Sequence, residues 1–149
     1  MNKKEITWKD LCKSETAKRC KIENNPDENS IVNLEALIEY IVKPIYDKFP
    51  TAEVTSGYRC DWLNEIVEGA KGSQHTKGQA VDLVLIIPDK NLEESIKELY
   101  NFIACTIPFD QMIIHHTYIH VSYRSVNRRS EIINKAPNIY KEIPIHFYL

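Results

Sequence analysis

The sequence has little of several features that mark particular protein classes. Among its 149 residues are four glycines, two methionines and two tryptophans, and the net charge at neutral pH is only −2. So small a net charge gives no electrostatic reason to expect a nucleic acid or an anionic membrane as a partner. No apolar stretch approaches the about 20 residues that cross a bilayer, and the N-terminal segment lacks the apolar core of a signal peptide. We therefore expect no membrane span and no export by the general route.

Paired cysteine spacing is also missing. The four cysteines are at positions 12, 20, 60 and 105, without the C-x-x-C spacing of a structural zinc site. A chain of this length buries enough surface to fold as one domain without disulfides. The sequence therefore predicts a single domain with free thiols in a reducing compartment.

Glycine is concentrated in one segment, residues 55–82, which contains all four glycines. Because glycine adopts positive φ and permits close backbone approach, we expect unusual backbone conformations there. In this segment His75 precedes Asp82 by seven residues, and His120 lies in the later segment IHVSY. Imidazole nitrogens and a carboxylate oxygen are ligands of catalytic zinc, which keeps one position open for water. The alternative is an ordinary aspartate and two histidines of the core or surface.

Apolar periodicity and turn residues predict helices in the first part of the chain and strands interleaved with helices in the second, which is typical of an α+β fold. The strongest helix begins at Ser30, and Pro44 predicts a kink, or a break and restart, in its last turns. The other predicted elements are short helices at 7–13 and 14–20, helices at 61–68 and 91–103, strands at 52–56 and 81–87, and a hairpin of 111–114 with 118–123.

Five segments resemble the zinc D-alanyl-D-alanine carboxypeptidase family. They are SGYR (56–59), LN (63–64), SQHTKGQAVD (73–82), FDQMI (109–113) and IHVSYR (119–124). The pattern S-x-H-x-x-G-x-A-x-D followed by I-H-V is specific, and the likeness extends over about residues 5–130. It implies a hedgehog/DD-peptidase-like fold, α+β with a small antiparallel sheet packed with helices. We predict one domain over residues 1–149, with a core at about 5–130 and a C-terminal extension at 131–149 that wraps the surface.

The resemblance also implies a function. It predicts a monomeric zinc metallopeptidase that cleaves peptidoglycan stem peptides at a D-alanine bond, as a carboxypeptidase or an endopeptidase, with one Zn²⁺ held by His75, Asp82 and His120. The predicted setting is a phage lysis enzyme or a virion-associated enzyme, or a bacterial protein released by other means, cytoplasmic until release. The alternative is a non-catalytic zinc-containing module that binds a cell-wall peptide or a protein.

Substrate-binding residues follow from the same resemblance. Arg59 is predicted to anchor the substrate carboxylate or carbonyl, because a guanidinium offers a planar bidentate fork. Ser73 and Gln74 are weaker candidates for substrate binding, since loop structure alone explains residues of these types. A group of three arginines is predicted to form a solvated face or, alternatively, to meet the carboxylates of a peptide or an anionic wall polymer; its members are Arg124, Arg128 and Arg129.

The general base is not evident from the sequence. Relatives commonly carry an acidic residue shortly before the last zinc histidine, whereas this chain has Thr117 three positions before His120. His115 and His116 are the candidate bases, because histidine titrates near neutral pH. Residues an even number apart on a strand lie on the same face. If strand geometry persists from 116 to 120, His116 therefore lies on the face of His120 and is the favoured base. Asp110 is the next candidate.

Overall fold

A computed structural model describes residues 3–149, and the first third of this range is helical. The helices are α1 (Glu15–Arg19), α2 (Glu28–Leu37), α3 (Lys43–Lys48), α4 (Asp61–Ile66) and α5 (Leu92–Thr106), with 3₁₀ turns at Lys3–Glu5, Asp10–Cys12 and Gln74–Lys77. Two of these helices have side-chain N-caps, since Ser14 Oγ accepts from the N–H of Ala17 and Asn91 Oδ1 accepts from that of Glu94. Among residues 3–149, no helix is both long and apolar enough to cross a membrane.

The predicted irregularity near Pro44 is a π-helical turn. Helix α2 runs into α3 through this turn, Ile38–Val42. Proline lacks an N–H and collides with the carbonyl four residues earlier, and the wider turn places it at the start of α3 instead of a helix interior. The apolar face stays continuous across the turn, because Leu34, Ile41 and Ile45 are all fully buried.

Six strands form one mixed sheet. They are β1 (Glu53–Ser56), β2 (Ala80–Val84), β3 (Gln111–Ile114), β4 (Ile119–Ser122), β5 (Glu131–Asn134) and β6 (His146–Tyr148). Their order is β1-β2-β4-β3-β5-β6. The predicted β3–β4 hairpin is confirmed, and every neighbouring pair is antiparallel except β3 and β5, which are parallel. The α+β architecture is thus as predicted, with a sheet that is mixed and not purely antiparallel.

The two faces of the sheet differ. Val81, Leu83 and Val121 are fully buried and belong to one hydrophobic cluster with the helices. The alternate residues of the same strands, Asp82 and His120, lie on the opposite face, as strand alternation requires. The apolar run at 81–87 predicts a strand covered on both sides, but β2 ends at Val84 and Ile86 is 55% exposed. One face of the sheet therefore packs the core while the other presents polar groups.

The segment predicted as a surface-wrapping extension, residues 131–149, contributes β5 and β6 to the sheet. Ile132 and Tyr140 are fully buried. Asn134 is buried with them, and its Nδ2 donates to the carbonyls of Tyr140 and Ile143 at 2.9 and 3.0 Å. The segment adds to the core because β5 pairs with β3 and thereby extends the sheet.

Candidate metal centre

Three side chains converge on the polar face of the sheet. His75 Nε2 lies 3.2 Å from Asp82 Oδ1, and His120 Nδ1 lies 3.1 Å from the same oxygen. One donor atom from each residue lies within 4.8 Å of the others. A tetrahedral zinc ion with bonds of about 2.0–2.1 Å places its ligand atoms roughly 3.3 Å apart. The spacing of these three side chains therefore fits a single metal ion.

Local backbone structure fixes each member of this group. Asp82 and His120 are direct partners across the β2–β4 ladder, so their side chains project side by side from one face. His75 lies in the 3₁₀ turn Gln74–Lys77, and Ser73 Oγ accepts from its N–H at 3.2 Å. Gly78 closes the turn at φ 72°, a conformation that side chains disfavour. A Cβ at this position would lie 2.5 Å from the carbonyl oxygen of Ser30, so only glycine fits.

The hydrogen bond to Gly57 sets the tautomer of His75. Its Nδ1 lies 2.7 Å from the carbonyl oxygen of Gly57, and a carbonyl can only accept, so Nδ1 carries the proton. In the neutral ring Nε2 then presents a lone pair to the Asp82 carboxylate. Two acceptors this close require a proton or a cation between them, and His75 is only 2% exposed. This arrangement is typical of a metal-binding histidine oriented by a backbone carbonyl.

Charges in the group suit cation binding. Burial opposes ionisation of Asp82, but the contacts of its carboxylate with His120 and His75 outweigh burial and hold the pKa of this carboxyl well below its usual range. Burial lowers the pKa of His120, although Asp82 acts in the opposite direction. At neutral pH the group therefore offers one carboxylate and a neutral His120 imidazole, the forms in which these side chains bind metals.

Arg59 lies beside the three ligands. Its backbone N–H donates to the carbonyl of His75 at 3.0 Å, and its Nη1 donates weakly to Ser56 Oγ at 3.4 Å. Burial lowers the pKa of Arg59 while the nearby Asp82 raises it. The buried Nε has no acceptor among residues 3–149. The guanidinium therefore adjoins the ligands with hydrogen-bonding capacity to spare.

A comparison with protein-family models adds a decisive finding: the model described as Peptidase M15 matches residues 3–122. The chain belongs to this family. The match confirms the resemblance to zinc D-alanyl-D-alanine carboxypeptidase-like metallopeptidases, and with it the hedgehog/DD-peptidase type of fold. It also contains the whole His75, Asp82 and His120 group. A comparison with curated proteins finds no match.

The two candidate bases of this M15 peptidase lie in different places. The ring of His115 stacks on Tyr118, with centroids 4.2 Å apart, and burial lowers its pKa while Asp82 acts to raise it. His116 is exposed, and its Nε2 lies 3.3 Å from Glu93 in the first turn of α5. The parity count that favours His116 assumes a continuous strand, but the chain turns between β3 and β4. His115 is thus half-buried against Tyr118, whereas His116 is exposed and paired with Glu93.

Ser73 and Gln74, the weaker substrate-binding candidates, have structural partners in this M15 peptidase. Ser73 caps the turn that carries His75. Gln74 Nε2 donates to Asp110 Oδ2 at 3.0 Å, and Gln74 Oε1 accepts from Arg129 at 3.2 Å. Asp110 is fully buried and paired with Arg129 at 2.8 Å, as expected for a structural residue.

Two residues of the centre were not singled out from the sequence, Gly57 and Tyr118. The Gly57 carbonyl orients His75, and a backbone oxygen leaves no residue-type signal. Tyr118 lies two positions before His120, and burial together with Asp82 raises its pKa. An even separation from His120 places it on the same face, and this signal is readable from the sequence.

Proposed function

We propose that this M15 peptidase is a zinc enzyme that cleaves peptidoglycan stem peptides at a D-alanine bond, as a carboxypeptidase or an endopeptidase. The observation that supports it best is the convergence of His75 Nε2, Asp82 Oδ1 and His120 Nδ1 within 4.8 Å. Three protein ligands leave the fourth tetrahedral position free, as a catalytic zinc requires. Zinc in this group would polarise the scissile carbonyl and lower the pKa of a water molecule.

Arg59 is proposed to orient the substrate. Its backbone is held next to the ligand turn by the bond from its own N–H to His75 O, and its buried Nε has no acceptor among residues 3–149. A carboxylate or a peptide carbonyl would satisfy this donor and fix the scissile bond relative to the metal group. The role is that of a substrate anchor.

His115 is proposed as the general base, with His116 as the second candidate. A base must be neutral to accept a proton, and burial lowers the pKa of His115. Stacking on Tyr118 fixes its ring plane. The proton taken from water would return to the leaving amine from the same imidazole.

The competing proposal is a binding module that keeps the metal and does not cut. One observation favours it: among residues 3–149, Asp82 is the only carboxylate that contacts His75 or His120. A carboxylate base of the kind common among relatives is thus absent from those contacts. Arg59 would serve either function.

Mass spectrometry of muropeptides separates the two proposals. Cell-wall fragments are incubated with the zinc-loaded protein, with Asp82→Ala and with Asp61→Ala, an exposed aspartate at the start of α4. We expect loss of D-alanine or of a cross-link with the wild type and Asp61→Ala, but not with Asp82→Ala. An unchanged profile with the zinc-loaded wild type would favour the binding module. From the resemblance we also propose that the protein is a monomer and that it acts in phage-induced lysis or on a virion.

A further inference from the structure

A cavity of about 260 Å³ adjoins the turn that carries His75. We call it the cationic cavity; its lining residues are Gly72, Gln74, Lys77, Gln79, Arg124 and Arg129. It contains no carboxylate in its lining. Gln74 is the neighbour of His75, and Gln79 leads into β2. The cavity is therefore lined by residues of the turn that carries His75 and by the residue that precedes β2, the strand that carries Asp82.

The positive charge of the cationic cavity is only partly compensated. Arg129 is neutralised by Asp110 at 2.8 Å and approaches Glu131 at 3.5 Å. Lys77 and Arg124 form no ion pair among residues 3–149, and the backbone carbonyl of Arg124 accepts a hydrogen bond from Arg128. Two cations thus face one small volume without a counter-charge. Such an arrangement attracts an anion and rejects a cation.

The position of the cationic cavity along β4 is informative. Arg124, which lines the cavity, follows His120 in the chain. The strand pairing continues beyond β4, since Tyr123 N–H donates to Gln79 O at 2.9 Å. At about 3.3 Å per residue, Arg124 lies roughly 13 Å along the strand from His120. The metal group therefore has Arg59 beside its ligand turn, and Arg124 of the cationic cavity lies farther along the chain from His120.

We propose that the cationic cavity binds a carboxylate of the substrate peptide, on the amino-terminal side of the scissile bond and three to four residues from it. This inference rests on the proposed function, in which Arg59 holds the carboxyl-terminal side. An extended peptide advances about 3.3 Å per residue, so roughly 13 Å corresponds to three or four residues. The cavity would thus select acidic peptides and set their register across the metal.

A single carboxylate fits the observations better than a polyanionic wall polymer. A polymer with regularly spaced phosphates is held by a row of cations along a surface, whereas here Lys77, Arg124 and Arg129 converge on about 260 Å³. That volume suits one acidic side chain. The convergence also favours arginine forks, which bind carboxylates in a bidentate manner.

The test compares two peptides that end in D-alanyl-D-alanine and differ at one position. One has glutamate three residues before the scissile bond and the other has glutamine. The site variant is Lys77→Gln with Arg124→Gln. Its matched control is Lys71→Gln with Arg128→Gln, which removes the same charge from exposed residues outside the cavity lining. If the double variant is less stable than the wild type, Lys77→Gln alone is used as the site variant, because Lys77 is exposed.

Binding is measured by calorimetry on zinc-loaded protein, with analogues whose scissile amide is replaced by a ketomethylene group. We expect the wild type and the control to bind the glutamate analogue about tenfold more tightly than the glutamine analogue. The site variant should bind both analogues equally. An equal affinity of the wild type for the two analogues would overturn the inference.

Cleavage of the two parent peptides is assayed in parallel, so that the two proposals fail separately. A glutamate preference in binding that depends on Lys77 and Arg124, without cleavage of either peptide, supports the cavity and contradicts the peptidase. Cleavage without any glutamate preference supports the peptidase and contradicts the cavity. Poly(glycerol phosphate) is added as a competitor. If it binds more tightly than the glutamate analogue and needs the same two cations, the assignment to a peptide carboxylate is wrong.

Discussion

At the scale of single residues, the metal group makes the most direct prediction. Because His75, Asp82 and His120 each supply one donor atom, the purified protein should contain about one zinc ion per chain. His120→Ala should lose most of this metal. The measurement is metal analysis after dialysis, and His146→Ala is the control, since His146 pairs with Glu131 instead of the metal group. Full zinc retention in His120→Ala would contradict the ligand assignment.

The identity of the base is a second prediction at this scale. His115→Ala should lower kcat about 10²-fold or more, the usual contribution of a general base, and His116→Ala should have little effect. The pKa of His115 is lowered by burial, so the residue becomes protonated only below the ordinary histidine value of about 6.5. Activity should therefore persist below pH 6.5 and fall as the pH drops further.

This prediction is measured as kcat/KM against pH at constant zinc occupancy. His116→Ala is the matched control, because it removes an exposed imidazole from the neighbouring position. Equal rates in the two variants would place the base elsewhere.

These residues also show how far the sequence alone can lead. The three metal ligands are recognisable because the glycine and small residues between His75 and Asp82, together with a histidine in a later strand, form one specific pattern. The general base cannot be recognised in this way, because residues an even number apart lie on the same face of a strand only where the strand is continuous. A turn of a few residues between Ile114 and Ile119 decides where the side chains of the two adjacent histidines lie, and its course depends on contacts such as Tyr140 OH to His116 O at 2.8 Å.

At the scale of elements, the 3₁₀ turn Gln74–Lys77 depends on Gly78. Gly78→Ala should lower the free energy of unfolding by about 2–4 kcal/mol, because it adds a clash with the Ser30 carbonyl to the strain of a positive φ. It should also weaken zinc binding, since His75 lies in this turn. Both quantities are measured by urea unfolding with and without zinc.

Gly72→Ala is the matched control for this element. Gly72 also has positive φ, at 75°, but a Cβ there would meet nothing within 4 Å. The substitution should cost about 1 kcal/mol from backbone strain alone and leave zinc affinity unchanged. Equal effects at the two glycines would show that the clash is unimportant.

The elements differ in how predictable they are. The helices at 28–48 and 92–106 follow from apolar periodicity and local caps, which are properties of contiguous residues. Strands β5 and β6 are short, and β5 contains the polar residues Glu131 and Asn134, so no alternation marks it. Its burial results from parallel pairing with β3, a contact between distant parts of the chain. Local patterns do not contain such a contact.

At the scale of the whole molecule, residues 131–149 should be necessary for folding. A variant that ends at residue 130 loses the buried Ile132, Tyr140 and Ile143, each of which contributes about 1.5–3 kcal/mol by burial. Total stabilities of small domains are about 5–15 kcal/mol, so we expect little folded protein. A variant that ends at residue 144 loses only β6 and should fold with reduced stability. Circular dichroism and thermal unfolding distinguish the two.

Asp110 lies in the part of the chain that matches the family model, and Arg129 lies beyond it. The ion pair between the two residues connects these parts, and it predicts how acid affects the stability of the whole fold. Burial opposes ionisation of Asp110, but hydrogen bonds from Arg129 and Gln74 outweigh it and hold the pKa of this carboxyl below its ordinary value. A carboxyl whose pKa is lower in the folded state stabilises the fold above the unfolded pKa of about 3.9. That stabilisation is lost as the pH falls through the folded pKa.

Asp110→Asn should therefore lower the free energy of unfolding at pH 7 and flatten its decrease below about pH 4. Asparagine fits the position in size but turns an amide N–H towards donors of Arg129, which make three hydrogen bonds to the carboxylate. The measurement is urea unfolding from pH 7 to pH 3 with zinc removed by a chelator, so that release of metal does not contribute. Asp61→Asn, which removes one exposed negative charge, is the control. A pH dependence as steep in Asp110→Asn as in the wild type would show that acid unfolding is governed by other carboxylates.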